Sequence, residues 1–498
     1  MSYNISTNII NCINSSNIVS GCQAPTAPQI APFELTFIYI IYSILLFLNI
    51  FLGLLFIKYF RTAFNAQIRR NEDGGDPRPI SFVVPVKGEP LDVIASMLYR
   101  FNDVDYPRDL FEVVILSDDD EGYFKKIEAV VEGLARELGL DARAVRRSGG
   151  GRYRGSAYNW IVDVAKYDVL VFLDVDSRIP RDIARRAAGV GDDALLFLGW
   201  DGYISLFTRL GRMLRFAYRY LLLYGAYLGR ALSGDLILAL GSGIAATRRF
   251  LRRIGGFCDC VADDYDISLK ALMRGGRIIY DGGEPIYVEI PSTYFAFRRQ
   301  YARWVFNSAY IFRKYVVPLM RSRLPLRHKL SLALTVLQHP LLVSTTVLLP
   351  VVGLAAAYTG YIIPPLPVAL LEAALLATTL AVLRYVVAFA RREGYGVFEA
   401  LALAVQNGVL MLMIDIVAFA YMVLGLFKDS ITWRVTPKGE SQRAFRESLL
   451  PEALYASAAA SALVWALLTS SWTFAASAAV LLAILLYGLW LVRSSTPS

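Results

Sequence analysis

Val169-Leu170-Val171-Phe172-Leu173-Asp174-Val175-Asp176 is a run of five apolar residues that ends in two carboxylates one residue apart. The apolar part has the length and composition of a strand buried on both faces, and such a strand belongs to a parallel sheet covered by helices. Two similar runs precede it. Ser81-Phe82-Val83-Val84-Pro85-Val86 leads into the turn Lys87-Gly88-Glu89-Pro90, and Glu112-Val113-Val114-Ile115-Leu116 ends in Ser117-Asp118-Asp119-Asp120. Helical stretches such as Phe124–Leu138 lie between them. Alternation of strand and helix over residues 75–290 predicts an α/β domain with a mostly parallel, Rossmann-like sheet. Ligands of such sheets sit at the carboxyl ends of the strands, where both acidic clusters fall. The sequence has neither a Gly-rich dinucleotide fingerprint nor a Walker lysine loop.

At the end of an extended strand, residues two apart project to the same side, so Asp174 and Asp176 can face one hard cation such as Mg2+ or Mn2+. A solvated strand end reads the same way in isolation. Downstream, Asp263-Asp264-Tyr265-Asp266 opens a helix, Ile267–Arg274, that Gly275-Gly276 stops. Acids suit a helix start, but three in four positions exceed what capping needs, and one can serve as a general base. Gln300-Tyr301-Ala302-Arg303-Trp304 follows. Arg303 offers a bidentate fork for phosphate oxygens and Trp304 an aromatic face for a sugar ring. By itself this segment also reads as a basic amphipathic helix on a membrane surface. The chain has only two histidines, His328 and His339, which argues against histidine catalysis or a histidine metal cluster. Cys258 and Cys260 lack a second pair for zinc and read as small buried residues.

The rest of the sequence is a membrane protein. Of 498 residues 56% are hydrophobic, and the mean hydropathy is +0.45. Residues 35–57 are long enough to cross a bilayer once; 334–390 and 453–492 read as hairpins broken near Pro364 and Ser470. Residues 397–427 are apolar but contain Glu399, Gln406, Asn407 and Asp415, and read as one or two amphipathic helices along the inner face. About five crossings result. Residues 1–34 hold no Lys or Arg, whereas Lys58, Arg61, Arg321, Arg323, Arg391 and Arg392 flank the polar part. The positive-inside rule therefore places the N-terminus outside and the large domain in the cytosol, as in a multipass plasma-membrane protein. The net charge of +9 is a match for anionic membrane lipids, not a sign of nucleic acid binding. Cys12 and Cys22 can pair outside, and Asn4 and Asn14 fit the glycosylation triplet.

Taken together, these residues resemble the membrane-embedded family 2 glycosyltransferases of the cellulose, chitin and hyaluronan synthase type. The resemblance covers about residues 80–310 by motif and the membrane part by layout. Pro85-Val86-Lys87-Gly88-Glu89 resembles the opening strand and turn, with Lys87-Gly88 where aromatic-Asn is usual. Asp118-Asp119 resembles the acidic site that contacts base and ribose, and Arg154-Gly155-Ser156-Ala157-Tyr158-Asn159 the Lys-x-Gly-x-x-Asn segment along the donor. Asp174-Val175-Asp176 matches the metal motif. Gly241-Ser242-Gly243 resembles the acceptor loop, and Ala262-Asp263-Asp264 the Thr-Glu-Asp triplet whose last acid is the base. Gln300, Arg303 and Trp304 complete Gln-x-x-Arg-Trp, on interfacial helices at 291–333. Trp433-Arg434-Val435-Thr436-Pro437-Lys438-Gly439, within the loop 428–446, resembles the Phe-x-Val-Thr-x-Lys gating loop.

The resemblance implies a GT-A-like domain that performs inverting transfer from a nucleotide sugar, a UDP-sugar first, with Mg2+ or Mn2+ at Asp174 and Asp176. Asp118, Asp119, Arg154, Asn159, Asp174, Gln300, Arg303, Trp304, Thr436 and Lys438 are the expected donor residues. Trp304 and Ser242 are expected at the acceptor, and Asp264 as the base. It further implies processive polymer synthesis coupled to translocation, along a path that Gln338, His339, Thr345, Thr346, Glu372 or Arg384 can line. Two other readings stand beside it: single-sugar transfer to a lipid acceptor, and a nucleotide-sugar-sensing membrane scaffold without catalysis.

Overall fold

The structure, a computed structural model, describes residues 32–66, 77–147, 149–358, 366–432, 436–468 and 472–494. Cys12, Cys22, Asn4, Asn14 and Trp433–Val435 lie outside the described residues. The three apolar runs form strands β1 (Ile80–Val86), β2 (Phe111–Ser117) and β4 (Val169–Phe172). They are adjacent and parallel, with Val83 beside Val114 and Phe172. Their side chains are buried on both faces, which is why the sequence shows no polar alternation here. Each buried Phe, Val or Leu contributes about 1.5–3 kcal/mol relative to exposure.

The sheet is completed by β3 (Ala142–Arg146), β5 (Ala194–Phe197), β7 (Ile244–Thr247) and β8 (Arg277–Tyr280), in the order 3-2-1-4-7-5-8. Only β7 runs antiparallel to its neighbours. The expected mostly parallel α/β domain is what the chain adopts. A second, two-stranded sheet pairs β6 (Trp200–Tyr203) with β9 (Ile286–Glu289).

Helix α1 (Pro32–Asn65) precedes the domain, and α9 (Tyr294–Arg321) leaves it. After α9 come α10 (Leu326–Tyr358), α11 (Leu366–Arg392), α12 (Val397–Phe427), the short α13 (Ser441–Ala444), α14 (Leu450–Leu468) and α15 (Trp472–Ser494). Among the described residues, five helices are long and apolar enough to cross a membrane: α1, α10, α11, α12 and α14. Residues 397–427 form one continuous helix of 31 residues rather than two. It satisfies the length and composition of a crossing as well as those of a helix lying along the inner face. Its buried Ala400, Asn407, Leu410, Ile414, Ala418, Met422 and Gly425 recur at helical spacing, and the helix packs along α9.

A π-helical stretch, Tyr218–Gly229, ties domain to helices. Its Arg219 donates to the fully buried Asp201 of β6 at 2.8 Å and to Glu393, at the end of α11, at 3.1 and 3.0 Å. Tyr220 donates to the same Glu393 at 2.8 Å.

Candidate active site

The carboxyl ends of β1, β2 and β4 open into a cavity of about 720 Å³. Asp118, Arg154, Asp174, Asp176, Ser242, Asp264, Gln300, Arg303, Trp304, Thr436 and Lys438 all line it, although they come from segments more than 300 residues apart. The cavity also reaches Thr335, Gln338 and His339 on α10.

Asp174 and Asp176 both line the cavity, but β4 ends at Phe172, and residues 174–177 form a turn closed by the Ser177 N–H on the Asp174 carbonyl at 3.0 Å, so the extended-strand geometry expected of the pair is replaced by a turn. Arg154 Nη1 donates to Asp174 Oδ1 at 2.9 Å, and Lys438 Nζ lies 3.1 Å from Asp176 Oδ2. Burial pushes the Asp176 carboxyl up while Lys438 draws it down. Burial works against the Lys438 charge, but Asp176, Glu89 and Asp174 outweigh it and hold the ammonium above the usual lysine range. Two hard carboxylates just past a strand end, one of them buried, fit Mg2+ or Mn2+ by the chemistry of their donor atoms. Among the described residues, Cys258, Cys260 and Asp266 are also close enough to share a metal. They are already engaged, however: Asp266 pairs with Lys270 and Lys314, and the cysteines form a disulfide. That disulfide corrects the reading of both as simple buried residues.

Helix α8 (Asp263–Met273) begins four residues before the expected Ile267, so the acids form its first turn at the positive end of the helix dipole. Arg154 clamps Asp263 from Nε at 3.0 Å and Nη2 at 3.1 Å. The clamp depends on Gly155, where a Cβ would fall 2.0 Å from the Cys258 carbonyl oxygen. Asp264 is thereby left to the cavity. It accepts the Gly241 N–H at 2.9 Å and the Tyr265 N–H at 2.8 Å. Burial and the neighbouring Asp263 push its carboxyl up to about 6, against the pull of Arg154. Gly241 itself sits at φ 73°, a backbone conformation open to glycine.

On α9, Gln300 Oε1 accepts the Tyr218 hydroxyl at 2.8 Å. Arg303 is half-buried near Arg154, and the sheltering of its guanidinium followed by that second positive charge lowers it to about 10. A diphosphate would relieve both cations. The Trp304 ring lies 6.1 Å from Tyr218 and 6.3 Å from His339, centroid to centroid, at the turn of the cavity toward α10. Thr436 Oγ1 is buried with no hydrogen-bond partner among the described residues.

Three expected site residues are also held by bonds within the protein. Asn159 is spent on the Phe257 backbone, donating to its carbonyl and accepting its N–H, both at 2.8 Å, and does not line the cavity. Asp119 accepts the Gly88 N–H at 2.6 Å and the Ser117 hydroxyl at 2.8 Å, fixing the turn after β1. Ser242 Oγ accepts the Asp174 N–H at 3.0 Å and pairs with Ser177 at 2.8 Å, so it buttresses the metal-motif strand end. Conversely, Arg147, Glu89 and Tyr218 were not anticipated. Arg147 holds Asp118 bidentately at 2.8 and 2.7 Å. The parallel pairing of β2 with β3 puts it there, since Ser117 aligns with Arg146.

The family described as glycosyltransferase like family 2 matches residues 77–307. A probable glycosyltransferase of Sulfolobus acidocaldarius is 28% identical over 275 residues, 52% of this chain and 56% of the relative. Glucomannan 4-beta-mannosyltransferase 2 of Arabidopsis thaliana is 35% identical over 74 residues, 15% of this chain and 14% of the relative. The chain thus spans about half the length of the first relative and far less of the second. A mannosyltransferase from Pyrobaculum calidifontis, solved in complex with GDP-Man and Mn2+, is 21% identical with a TM-score of 0.49, over 75% of this chain and 98% of that one. Residues 77–307 thus match glycosyltransferase family 2, and they are carried between helices long and apolar enough to cross a membrane.

Proposed function

We propose that the chain transfers a sugar from a nucleotide sugar, with inversion, to an acceptor hydroxyl held at the α10 end of the cavity. The observation that carries this reading is the convergence of Asp264, Asp174, Asp176, Arg303 and Trp304 on one cavity. The acceptor oxygen attacks the anomeric carbon, the bond from that carbon to the diphosphate oxygen breaks, and Asp264 takes the hydroxyl proton. Arg303, Arg154, Thr436 and Lys438 bind and orient the departing diphosphate. Asp174 and Asp176 would hold Mg2+ or Mn2+, which when bound neutralises charge on that leaving group. Asp118, held by Arg147, presents acceptor oxygens to the N–H edge of the base. A UDP-sugar is the first reading of the donor. A GDP-sugar also offers N–H donors on its base to the same carboxylate.

For the acceptor we favour a growing glycan, made processively and passed toward the membrane helices from a cytosolic domain. The extension of the cavity onto Thr335, Gln338 and His339 supports this. Thr345 and Glu372 are engaged in helix pairing instead, with Asn49 and Tyr42 respectively. The test is purified full-length chain with UDP- and GDP-sugars and Mn2+ or Mg2+, reading nucleotide release and product length. Long products from one donor support the polymer. Single-sugar glycolipids alone would establish the lipid-acceptor reading, and nucleotide binding without release the non-catalytic scaffold.

A further inference from the structure

Both acids of the metal motif face a cation that belongs to this chain: Arg154 at Asp174 and Lys438 at Asp176, at 2.9 and 3.1 Å. The lysine is delivered by its backbone and not only by a flexible side chain. Glu289 Oε1, at the end of β9, accepts the Gly439 N–H at 2.6 Å and Gln442 Nε2 at 3.1 Å. Gln442 is fully buried, and its Oε1 accepts the Ser292 N–H at 2.6 Å. The Lys438 N–H donates to Ser441 Oγ at 3.1 Å. The segment from Thr436 to Gln442 is therefore docked on β9 and the start of α9, with Lys438 directed at Asp176.

We propose that Lys438 and the divalent cation compete for Asp176, so that the cation enters together with the nucleotide diphosphate and not ahead of it. A Mg2+ ion bound by a carboxylate stands about 2.0–2.1 Å from its oxygen. An ammonium at 3.1 Å from that same oxygen would sit beside it, and two unscreened cations in a buried site repel strongly. The lysine leaves only for another anion. A diphosphate is such an anion: its oxygens accept from Lys438 and Arg154 and release both acids in one step. This inference rests on the nucleotide-sugar reading and adds an order of binding to it. Glu289 is then a positioning residue, acting on the metal through Lys438.

The experiment measures Mn2+ binding to the full-length chain in detergent, from the electron paramagnetic resonance of the free ion, with and without UDP or GDP. Wild type is expected to bind Mn2+ weakly alone and about tenfold to a hundredfold more tightly with either nucleotide, the range by which one close opposite charge biases a carboxylate. Lys438→Met should gain about tenfold in Mn2+ affinity without nucleotide, and lose nucleotide affinity. Glu289→Ala keeps the lysine but frees Gly439 and Gln442, and should shift Mn2+ binding in the same direction by less. Equal Mn2+ binding by wild type and both variants without nucleotide overturns the competition. Asp176→Asn separates the two layers. If it keeps wild-type Mn2+ binding with nucleotide present, the metal assignment itself falls and the competition with it.

Discussion

Asp264 Oδ2 and the Gly241 N–H are joined at 2.9 Å, so the acid at the start of α8 is fixed by the turn that precedes β7. A fixed carboxylate can serve as a base because its orientation is set before the acceptor arrives. Asp264→Asn keeps an oxygen for the Gly241 N–H but cannot take a proton. It should lower kcat by at least about a hundredfold. Donor affinity, read by calorimetry with the nucleotide sugar, should stay within about twofold, since a base on the acceptor side does little ground-state binding.

The raised Asp264 carboxyl sets a pH limit. A base must be deprotonated, and burial with Asp263 beside it holds this carboxyl up to about 6. The rate should therefore fall as pH drops through about 6, with the slope of one proton. The sign for stability is opposite. A group that binds its proton more tightly when folded stabilises the fold as it protonates, so this loss of rate should come without a loss of melting temperature from the same group. A rate flat from pH 5 to pH 8 would remove Asp264 from the role.

Asn159→Ala is expected to act on stability alone. Both ends of the amide serve the Phe257 backbone, and because Asn159 is exposed each lost bond costs the ordinary net amount of about 0.5–1.5 kcal/mol. The melting temperature should fall while the KM for the donor stays at the wild-type value. A donor KM raised without destabilisation would return Asn159 to the donor site.

Arg147→Met should raise the donor KM with little change in kcat. It releases Asp118 from a bidentate clamp without touching the reacting atoms. Base preference is the sharper readout: the ratio of UDP- to GDP-sugar use should drift toward one.

Trp304 stands between the transferase site and α10. Trp304→Ala should raise the acceptor KM about threefold to tenfold, the worth of one aromatic stack, and Trp304→Phe should restore most of it. Product length, analysed on the same samples, should shorten with the alanine.

Strands β1, β2 and β4 were legible because each is an unbroken apolar run of strand length; the turn that carries Asp174 and Asp176 past the end of β4 was not. Asp264 was legible as one acid too many at a helix start. The partners of these residues were not. Arg147 meets Asp118, and Asn159 meets Phe257, only because strands and helices far apart in the chain are laid side by side; no local spacing encodes that. Glu89 was quoted as a turn residue, and its place beside Asp176 and Lys438 depends on a loop some 350 residues later. The π-helical stretch has no periodic signature in its sequence. Val397–Phe427 reads two ways for a different reason: a helix of 31 residues with only four strongly polar side chains, Glu399, Gln406, Asn407 and Asp415, satisfies a crossing and a surface helix alike.

The pairings of α9 with the last quarter of the chain carry a practical consequence. Arg298 is buried and donates to the fully buried Glu452 at 2.6 Å, and Tyr294 donates to the same carboxylate at 2.7 Å. A protein cut after residue 307 keeps the family domain whole on paper but loses Glu447, Ser448 and Glu452, the groups that Arg298 bonds, together with the surface they cover. The stretch that is recognisable as a unit of inheritance is thus not expected to be a unit of folding. Soluble expression of that stretch should fail, and co-expression of the remaining C-terminal fragment should be the way to rescue it.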